Sequence, residues 1–363
     1  MFRLAATLAL LSTVLPSLAA ARQVPASPIR TEEFTFEVEG QRLVGLFDRP
    51  VRPASGTTIV LVHGYGRTDV VAQGWHADLR AHFGRLGIHV LVWDKPGCGR
   101  SEGTFDIDQP VASSAKEVVA AVRALKAREP AACDQVGLWG ISRAGWIAPL
   151  AMHDEPGIDF WISVSGTDDK ENARYLLETN WGIEGHTPEE VERLVGEWQA
   201  RFDAVWKGQS YERFVAAAPT LATDPLMEFL GWGGTASEAE FLAYQEQFTR
   251  GALTGDEASG LLVYVPGFAE LLSSIDRPVL ALFGAKDTNV DWRATSKLYA
   301  STLGENPEAD LTVHVFEDAN HSLKRCTTGG VREMRELPWN TPYAEGYFEQ
   351  MRDWLVAFGY GRE

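Results

Sequence analysis

Short, unbroken apolar runs recur along this chain, and each is closed by a glycine or a polar residue. They occupy residues 58–62, 89–93, 136–139, 160–164, 279–283 and 311–316. Continuous runs of this length are typical of strands that are buried on both faces of a parallel sheet. Helical patterns lie between them, at residues 73–86, 111–127, 144–153, 292–303 and 344–358. Strand and helix therefore alternate, which predicts an α/β fold that binds ligands at the carboxyl ends of its strands.

The alternation is interrupted once, at residues 167–260, where no strand pattern occurs. Amphipathic stretches in this region follow the helix-capping residues Thr187 and Ser237. We predict a helical cap here, inserted into an α/β core that consists of residues 34–166 and 261–363 and opens with a β-hairpin. The cap contains four tryptophans that either line an apolar pocket or pack between helices: Trp181, Trp198, Trp206 and Trp232.

The N-terminus carries the longest apolar run, which follows Arg3 and gives way to small residues that end at Ala21. Polar residues and Pro16 interrupt the run, and it is shorter than the roughly 20 residues of a membrane-spanning helix. The pattern predicts a signal peptide at residues 1–21 and a linker at 22–33. A secreted or periplasmic protein follows, with no stable membrane anchor once the signal is cleaved.

Cysteine content and charge narrow the chemistry further. The chain has three cysteines, Cys98, Cys133 and Cys326, which allow one disulfide at most. Pairing of Cys98 with Cys326 is the favoured bridge, and three free thiols are the alternative. The formal net charge of -17 disfavours nucleic acid as a partner. The sequence contains no CxxC, HExxH or Gly-Lys motif, so neither a metal nor a cofactor is predicted.

The most specific motif is Gly-Ile-Ser-Arg-Ala at residues 140–144, between a predicted buried strand and a predicted helix. This is the setting of a nucleophile elbow, a sharp turn that lifts a serine hydroxyl above the sheet. The usual motif ends in glycine, and Ala144 is small enough to replace it. Ser142 is therefore the predicted nucleophile, and the backbone N–H of Arg143 lies at a helix N-terminus, where it can bind an anion.

Two loops upstream belong to the same edge of the predicted sheet. A His-Gly-Tyr-Gly turn at residues 63–66 is suited to present the Tyr65 backbone N–H to an oxyanion, beside that of Arg143. The alternative is a plain glycine turn with His63 in the core. The glycine-rich loop at 94–103 has the wrong spacing for a dinucleotide site and is predicted to support the rim of the site.

A serine hydroxyl needs a general base, and the base needs an acid that fixes its tautomer. His321 follows the last predicted strand and is the predicted base. Asp287 follows the strand before it and is the predicted acid, with Asp291, Asp168 and Asp169 as competitors. The chain order Ser142, Asp287, His321 is the order of an α/β-hydrolase triad.

These segments together resemble the α/β-hydrolase superfamily, in particular its prolyl-oligopeptidase/serine-aminopeptidase-like and dienelactone-hydrolase-like branch. The resemblance spans residues 34–358, and it is carried by 64–66, 94–101, 140–142, 284–287 and 320–321. It implies a mostly parallel sheet of eight strands with helices on both faces. It also implies a cap between the sixth strand and the helix before the seventh, and a serine nucleophile rather than the aspartate of dehalogenases and epoxide hydrolases.

We therefore expect an exported serine hydrolase that cleaves carboxylic ester bonds through an acyl-enzyme intermediate. One alternative is a serine aminopeptidase that binds a substrate amine through cap carboxylates, or a thioesterase; the candidate carboxylates are Glu184, Glu189, Glu190 and Glu192. Another is a binding module without activity on a hydrolase scaffold. The expected partner is a small acyl ester or a short peptide, and Arg143 contacts either an anionic substrate group or a carboxylate of the cap.

Overall fold

The computed structural model describes residues 27–170, 172–234, 236–249, 254–256 and 261–363. Within these ranges ten strands are present: β1 (Ile29–Val38), β2 (Gln41–Pro50), β3 (Thr57–Val62), β4 (His89–Trp93), β5 (Gln135–Ile141), β6 (Phe160–Val164), β7 (Thr254–Asp256), β8 (Leu261–Val263), β9 (Val279–Gly284) and β10 (Leu311–Phe316).

Eight of these strands form one sheet in the order β1-β2-β4-β3-β5-β6-β9-β10. The pairs β1–β2 and β2–β4 are antiparallel, and the remaining neighbours are parallel. Every residue of β3, β4, β6 and β9 is buried. Burial on both faces explains why their sequences are continuous apolar runs. The predicted α/β-hydrolase fold with a mostly parallel eight-stranded sheet is confirmed.

Helices cover both faces of the sheet, as predicted. The helices of the described ranges are α1 (Val70–Gln73), α2 (Ala77–Arg85), α3 (Val111–Arg128), α4 (Ala144–Asp154), α5 (Ala173–Ile183), α6 (Pro188–Trp206), α7 (Tyr211–Ala216), α8 (Pro225–Leu230), α9 (Glu238–Thr249), α10 (Phe268–Ser273), α11 (Trp292–Ser301), α12 (Val331–Glu336) and α13 (Tyr347–Ala357). One apolar cluster joins the sheet to α3, α4 and α10, and a second joins it to α2 and α13.

Three predictions about secondary structure are wrong. The first strand begins at Ile29, inside the predicted linker, because it pairs with β2 as an exposed edge strand whose polar residues give no apolar pattern. The helix predicted at 73–86 is two helices, since His76 between them takes a left-handed backbone conformation with φ of 54°. A short antiparallel pair, β7 and β8, places a strand in the region predicted to hold helices alone.

Helices α5 to α9 lie between β6 and β9, and part of this segment has an apolar cluster of its own around Leu177, Trp181 and Leu226. Cys98, Cys133 and Cys326 are free thiols, so of the two alternatives the structure has three free thiols and not the bridge between Cys98 and Cys326. The predicted signal peptide lies outside the described residues. Within those residues, none of the helices combines the length and the apolar character that crossing a membrane requires.

Candidate active site

Ser142 lies in a sharp turn between β5 and α4. Its φ of 58° is in the left-handed region, which is uncommon for a residue other than glycine and costs strain. Its backbone N–H donates to Val164 O at 3.0 Å, which fixes the turn against β6. A Cβ on Gly140 would lie 2.7 Å from the Ala144 Cβ, so a glycine at 140 lets the helix start directly behind the strand.

His321 and Asp287 are in direct contact. His321 Nδ1 lies 2.8 Å from Asp287 Oδ2, and Asp287 is 1% exposed. Asp287 Oδ1 accepts the backbone N–H groups of Asn289 at 2.8 Å and Val290 at 3.0 Å. A carboxylate that accepts several donors is held in one orientation, and here that orientation directs its second oxygen at the histidine. Both side chains follow neighbouring strands, β9 and β10, as the sequence predicted.

Two of the three competing acids, Asp291 and Asp168, have other partners. Asp291 caps α11, where its side chain accepts the backbone N–H groups of Arg293 and Ala294. Asp168 accepts the Lys170 N–H through Oδ1 at 3.2 Å, and burial raises its pKa to about 6. The structure therefore brings Asp287 to His321 and places Asp291 at a helix terminus.

The predicted oxyanion donors share a cavity with the predicted nucleophile and base. This cavity has a volume of about 690 Å³, and its walls include Ser142, His321, Tyr65 and Arg143. Residues of α5, such as Leu176, also line it. The backbone of Tyr65 follows β3 and that of Arg143 starts α4, so both lie at the carboxyl edge of the parallel strands, where this class of sheet binds ligands.

The Arg143 side chain points into the core domain instead of toward the cap. Its guanidinium donates to Ser114 Oγ at 3.0 Å and to the Gln109 carbonyl, and it lies 5.3 Å from the centre of the Tyr65 ring. Among the described residues it forms no ion pair, so the predicted salt bridge to the cap is wrong. Ser114 belongs to α3, which packs against α4, and this explains why the guanidinium turns inward.

Two buried polar groups, Lys95 and His63, lie near the site, and the sequence analysis missed the contacts of the first. Lys95 was treated as part of a structural loop, yet its ammonium donates to Gly64 O at 2.6 Å and to Gly66 O at 2.8 Å. His63 donates from Nε2 to Trp93 O at 2.5 Å, and burial together with the Lys95 charge lowers its pKa to about 3. His63 is therefore a neutral histidine that ties β3 to β4.

An aromatic cavity of about 520 Å³ adjoins the one at Ser142, and the two share Asp108, Trp232, Tyr244 and Tyr264 in their walls. Of the four cap tryptophans, Trp198 and Trp232 line this second cavity. The other two have structural partners: Trp181 is fully buried and donates to Asp224 Oδ1 at 3.0 Å, and Trp206 donates to Asp203 Oδ1 at 3.0 Å. Of the two predicted roles, Trp198 and Trp232 line a cavity, and Trp181 and Trp206 are held by contacts within the predicted cap.

Fold and sequence together define the class of this protein. A sequence model described as the alpha/beta hydrolase family matches residues 59–323, which is most of the chain. The chain belongs to this family, and the family is one of hydrolases.

Individual relatives are distant. A thiohydrolase of Aspergillus aculeatus is 28% identical over 111 residues, which is 31% of this chain and 34% of the relative. The match thus spans about a third of the length of that curated relative. An esterase of Pyrococcus furiosus superimposes with a TM-score of 0.51 at 15% identity, over 91% of this chain and 93% of the esterase.

The acylaminoacyl peptidase of Pyrococcus horikoshii superimposes with the same TM-score of 0.51, at 11% identity, over 91% of this chain and 42% of the peptidase. At these identities the structural matches show the fold and leave the substrate open. Esterase, peptidase and thiohydrolase all occur among the similar proteins.

Proposed function

We propose that this protein is a serine hydrolase that cleaves carboxylic esters through an acyl-enzyme intermediate. Ser142 Oγ attacks the acyl carbonyl while His321 takes its proton, and Asp287 holds the His321 tautomer and balances the imidazolium charge. The N–H groups of Tyr65 and Arg143 stabilise the tetrahedral oxyanion. His321 returns the proton to the leaving alcohol, and water then attacks the acyl enzyme by the same route.

The observation that carries this proposal is the 2.8 Å contact of His321 Nδ1 with a buried Asp287. In a neutral histidine held this way, Nδ1 carries the proton and donates to the carboxylate, so Nε2 is left as the acceptor. An acceptor of this kind that lines the same cavity as a serine in a strained turn is the arrangement that supports nucleophilic acyl transfer.

The cavity walls favour an apolar substrate. Aromatic side chains surround both the Ser142 cavity and its extension, among them Trp146, Trp232 and Tyr264. Two of the four glutamates considered for amine binding have other roles: Glu184 pairs with Arg332 at 2.6 Å, and Glu190 forms a capping box with Thr187. These contacts favour an ester with an apolar acyl or alcohol group over an aminoacyl substrate.

A substrate panel tests the proposal. The panel contains aryl esters of straight-chain acids of increasing length, matched acyl thioesters and aminoacyl anilides. We expect esters to be cleaved fastest, with kcat/KM rising about fourfold per added methylene while the chain still enters the cavity, because burial of one methylene contributes about 0.8 kcal/mol. Initial rates for each compound give the ranking.

The same panel run on Ser142→Ala is the control. Faster cleavage of the anilides would replace the esterase assignment with a peptidase, and faster cleavage of the thioesters would replace it with a thioesterase. Equal rates for wild type and Ser142→Ala on every compound would contradict the serine mechanism itself.

Export is part of the proposal and rests on the sequence of residues 1–21. We expect the mature chain to begin at Arg22 when the full-length protein is produced in a bacterium with its own leader. N-terminal sequencing of protein recovered from the periplasm or medium measures this, and an intact Met1 on exported protein would contradict cleavage.

A further inference from the structure

The loop after β4 reaches beneath the glycine turn that carries Tyr65. Lys95 in this loop is 8% exposed, and its ammonium contacts the carbonyls of Gly64 and Gly66 on either side of Tyr65. Burying an ammonium is costly unless it is hydrogen-bonded, and two well-placed carbonyls offset part of that cost. The turn is thereby clamped at both of its ends by one charged group.

The clamp acts on the peptide unit that contains the predicted oxyanion donor. Gly64 C=O and Tyr65 N–H belong to one planar trans peptide, so the two bonds point in opposite directions. Holding the carbonyl at 2.6 Å from the Lys95 ammonium therefore fixes the direction of the N–H. Without such a clamp this peptide can rotate more easily than most, because Gly64 on one side of it lacks a Cβ.

We propose that Lys95 is a positioning residue that aims the Tyr65 N–H at the oxyanion of the tetrahedral intermediate. This inference rests on the proposed serine hydrolase activity. Lys95 touches neither substrate nor nucleophile in this role, and it acts through the backbone of the turn.

The lysine is itself held from several sides. Its backbone N–H donates to Thr68 Oγ1 at 2.9 Å. The preceding Asp94 is fully buried and accepts the Val70 N–H at 2.5 Å, which ties the loop to the start of α1. Ser101 Oγ donates to Asp94 O at 2.6 Å and accepts the Val44 N–H at 2.9 Å, which ties the loop to β2. The ammonium is therefore fixed relative to the sheet.

The charge of Lys95 is sensitive to pH. Burial, followed by the repulsion of the Arg143 cation at the start of α4, lowers its pKa to about 8. Glu117 on α3 and Cys98 in the same loop oppose this, and His63 at the end of β3 is neutral at this pH. Lys95 is thus charged below about pH 8 and loses its charge above it. A charged clamp also favours the developing oxyanion, so activity should decline as pH rises through this value.

Lys95→Met tests the proposal in the full chain, with esters as substrate. We expect kcat to fall about 10²-fold, as when one oxyanion donor is lost, while KM stays within about threefold. Affinity for a trifluoromethyl ketone, which forms a tetrahedral adduct with the serine, should fall in parallel with kcat. A purely structural lysine would change the unfolding midpoint without this split between kcat and KM.

Lys126→Met is the matched control. Lys126 also donates to a backbone carbonyl of a turn, Gly157 O at 2.5 Å, and this turn lies outside the walls of the Ser142 cavity. We expect this variant to retain the wild-type kcat and ketone affinity. An equal fall of kcat in both lysine variants would overturn the proposal.

Lys95→Arg covers the case in which the methionine variant does not fold. Arginine keeps a charge that is not lost at these pH values. We expect the decline of wild-type kcat above about pH 8 to be absent in Lys95→Arg, and a decline that persists would overturn the inference. Activity that depends on Ser142 but survives Lys95→Met unchanged overturns the role of Lys95 alone. Wild-type activity that does not depend on Ser142 overturns the proposed function and this inference together.

Discussion

Replacing Ser142 by alanine is expected to lower kcat for ester hydrolysis by about 10⁶-fold. The covalent route needs the hydroxyl, and an alanine at position 142 leaves His321 without a nucleophile whose proton it can take. The substrate still binds, because the cavity walls are unchanged, so KM should remain close to the wild-type value. A fluorophosphonate probe should label wild type at Ser142 and leave Ser142→Ala unlabelled, which intact-mass measurement detects directly.

Ser165→Ala is the matched control for this substitution. Ser165 directly follows the neighbouring strand β6, is fully buried and also has a positive φ, of 45°. Its Oγ has no hydrogen-bond partner among the described residues, so its loss should cost little stability. We expect Ser165→Ala to keep activity and labelling. Labelling of Ser142→Ala at any other residue would contradict the assignment of the nucleophile.

The fold is readable from the sequence because the parallel strands are buried on both faces. The runs at 89–93 and 160–164 coincide with the buried strands β4 and β6 at both ends. The run at 311–316 coincides with the edge strand β10, which is only partly buried but keeps a mostly apolar sequence. The polar edge strand β1 was placed less well. Ile29 to Glu33 of β1 pair with β2 at the sheet edge, where polar side chains face solvent and no apolar pattern marks a strand.

Local sequence motifs predicted which residues lie at the site, because each of these residues follows a strand of the parallel sheet. Ser142, Asp287 and His321 each follow such a strand, so the topology of a parallel sheet brings them to one edge. The directions in which the side chains point could not be predicted in this way. The turn of the Arg143 guanidinium toward Ser114, and of the Lys95 ammonium toward Gly64, depends on contacts between segments 29 and 31 residues apart. No motif in the sequence encodes these directions.

The buried charged groups near the predicted triad are of two kinds, which differ in what they contact. Asp287 contacts the predicted base His321, whereas Lys95 contacts the backbone turn that carries the predicted oxyanion donor Tyr65. Loss of the first should disable proton transfer, and loss of the second kind should weaken stabilisation of the intermediate. The two effects are distinguishable, since the first alters the tautomer of His321 and the second does not.

Asp287→Asn is therefore expected to lower kcat by about 10⁴-fold with little change in KM. The backbone N–H groups of Asn289 and Val290 need an oxygen, so the asparagine must turn its NH₂ toward His321. Nδ1 then has to accept a hydrogen bond, which puts the proton on Nε2. In that tautomer His321 cannot take the proton of Ser142. Steady-state kinetics of the purified variant, with circular dichroism to confirm folding, measures the effect.

Asp291→Asn is the control that separates this role from a general effect of carboxylate loss. Asp291 lies four residues further on and caps α11 through Arg293 and Ala294. Asparagine is as good a helix N-cap as aspartate, so neither folding nor kcat should change appreciably. If Asp291→Asn lowered kcat as far as Asp287→Asn did, Asp287 would not be the acid of this site. If kcat is unchanged in Asp291→Asn and falls in Asp287→Asn, the 2.8 Å contact of Asp287 with His321 is what fixes the histidine tautomer.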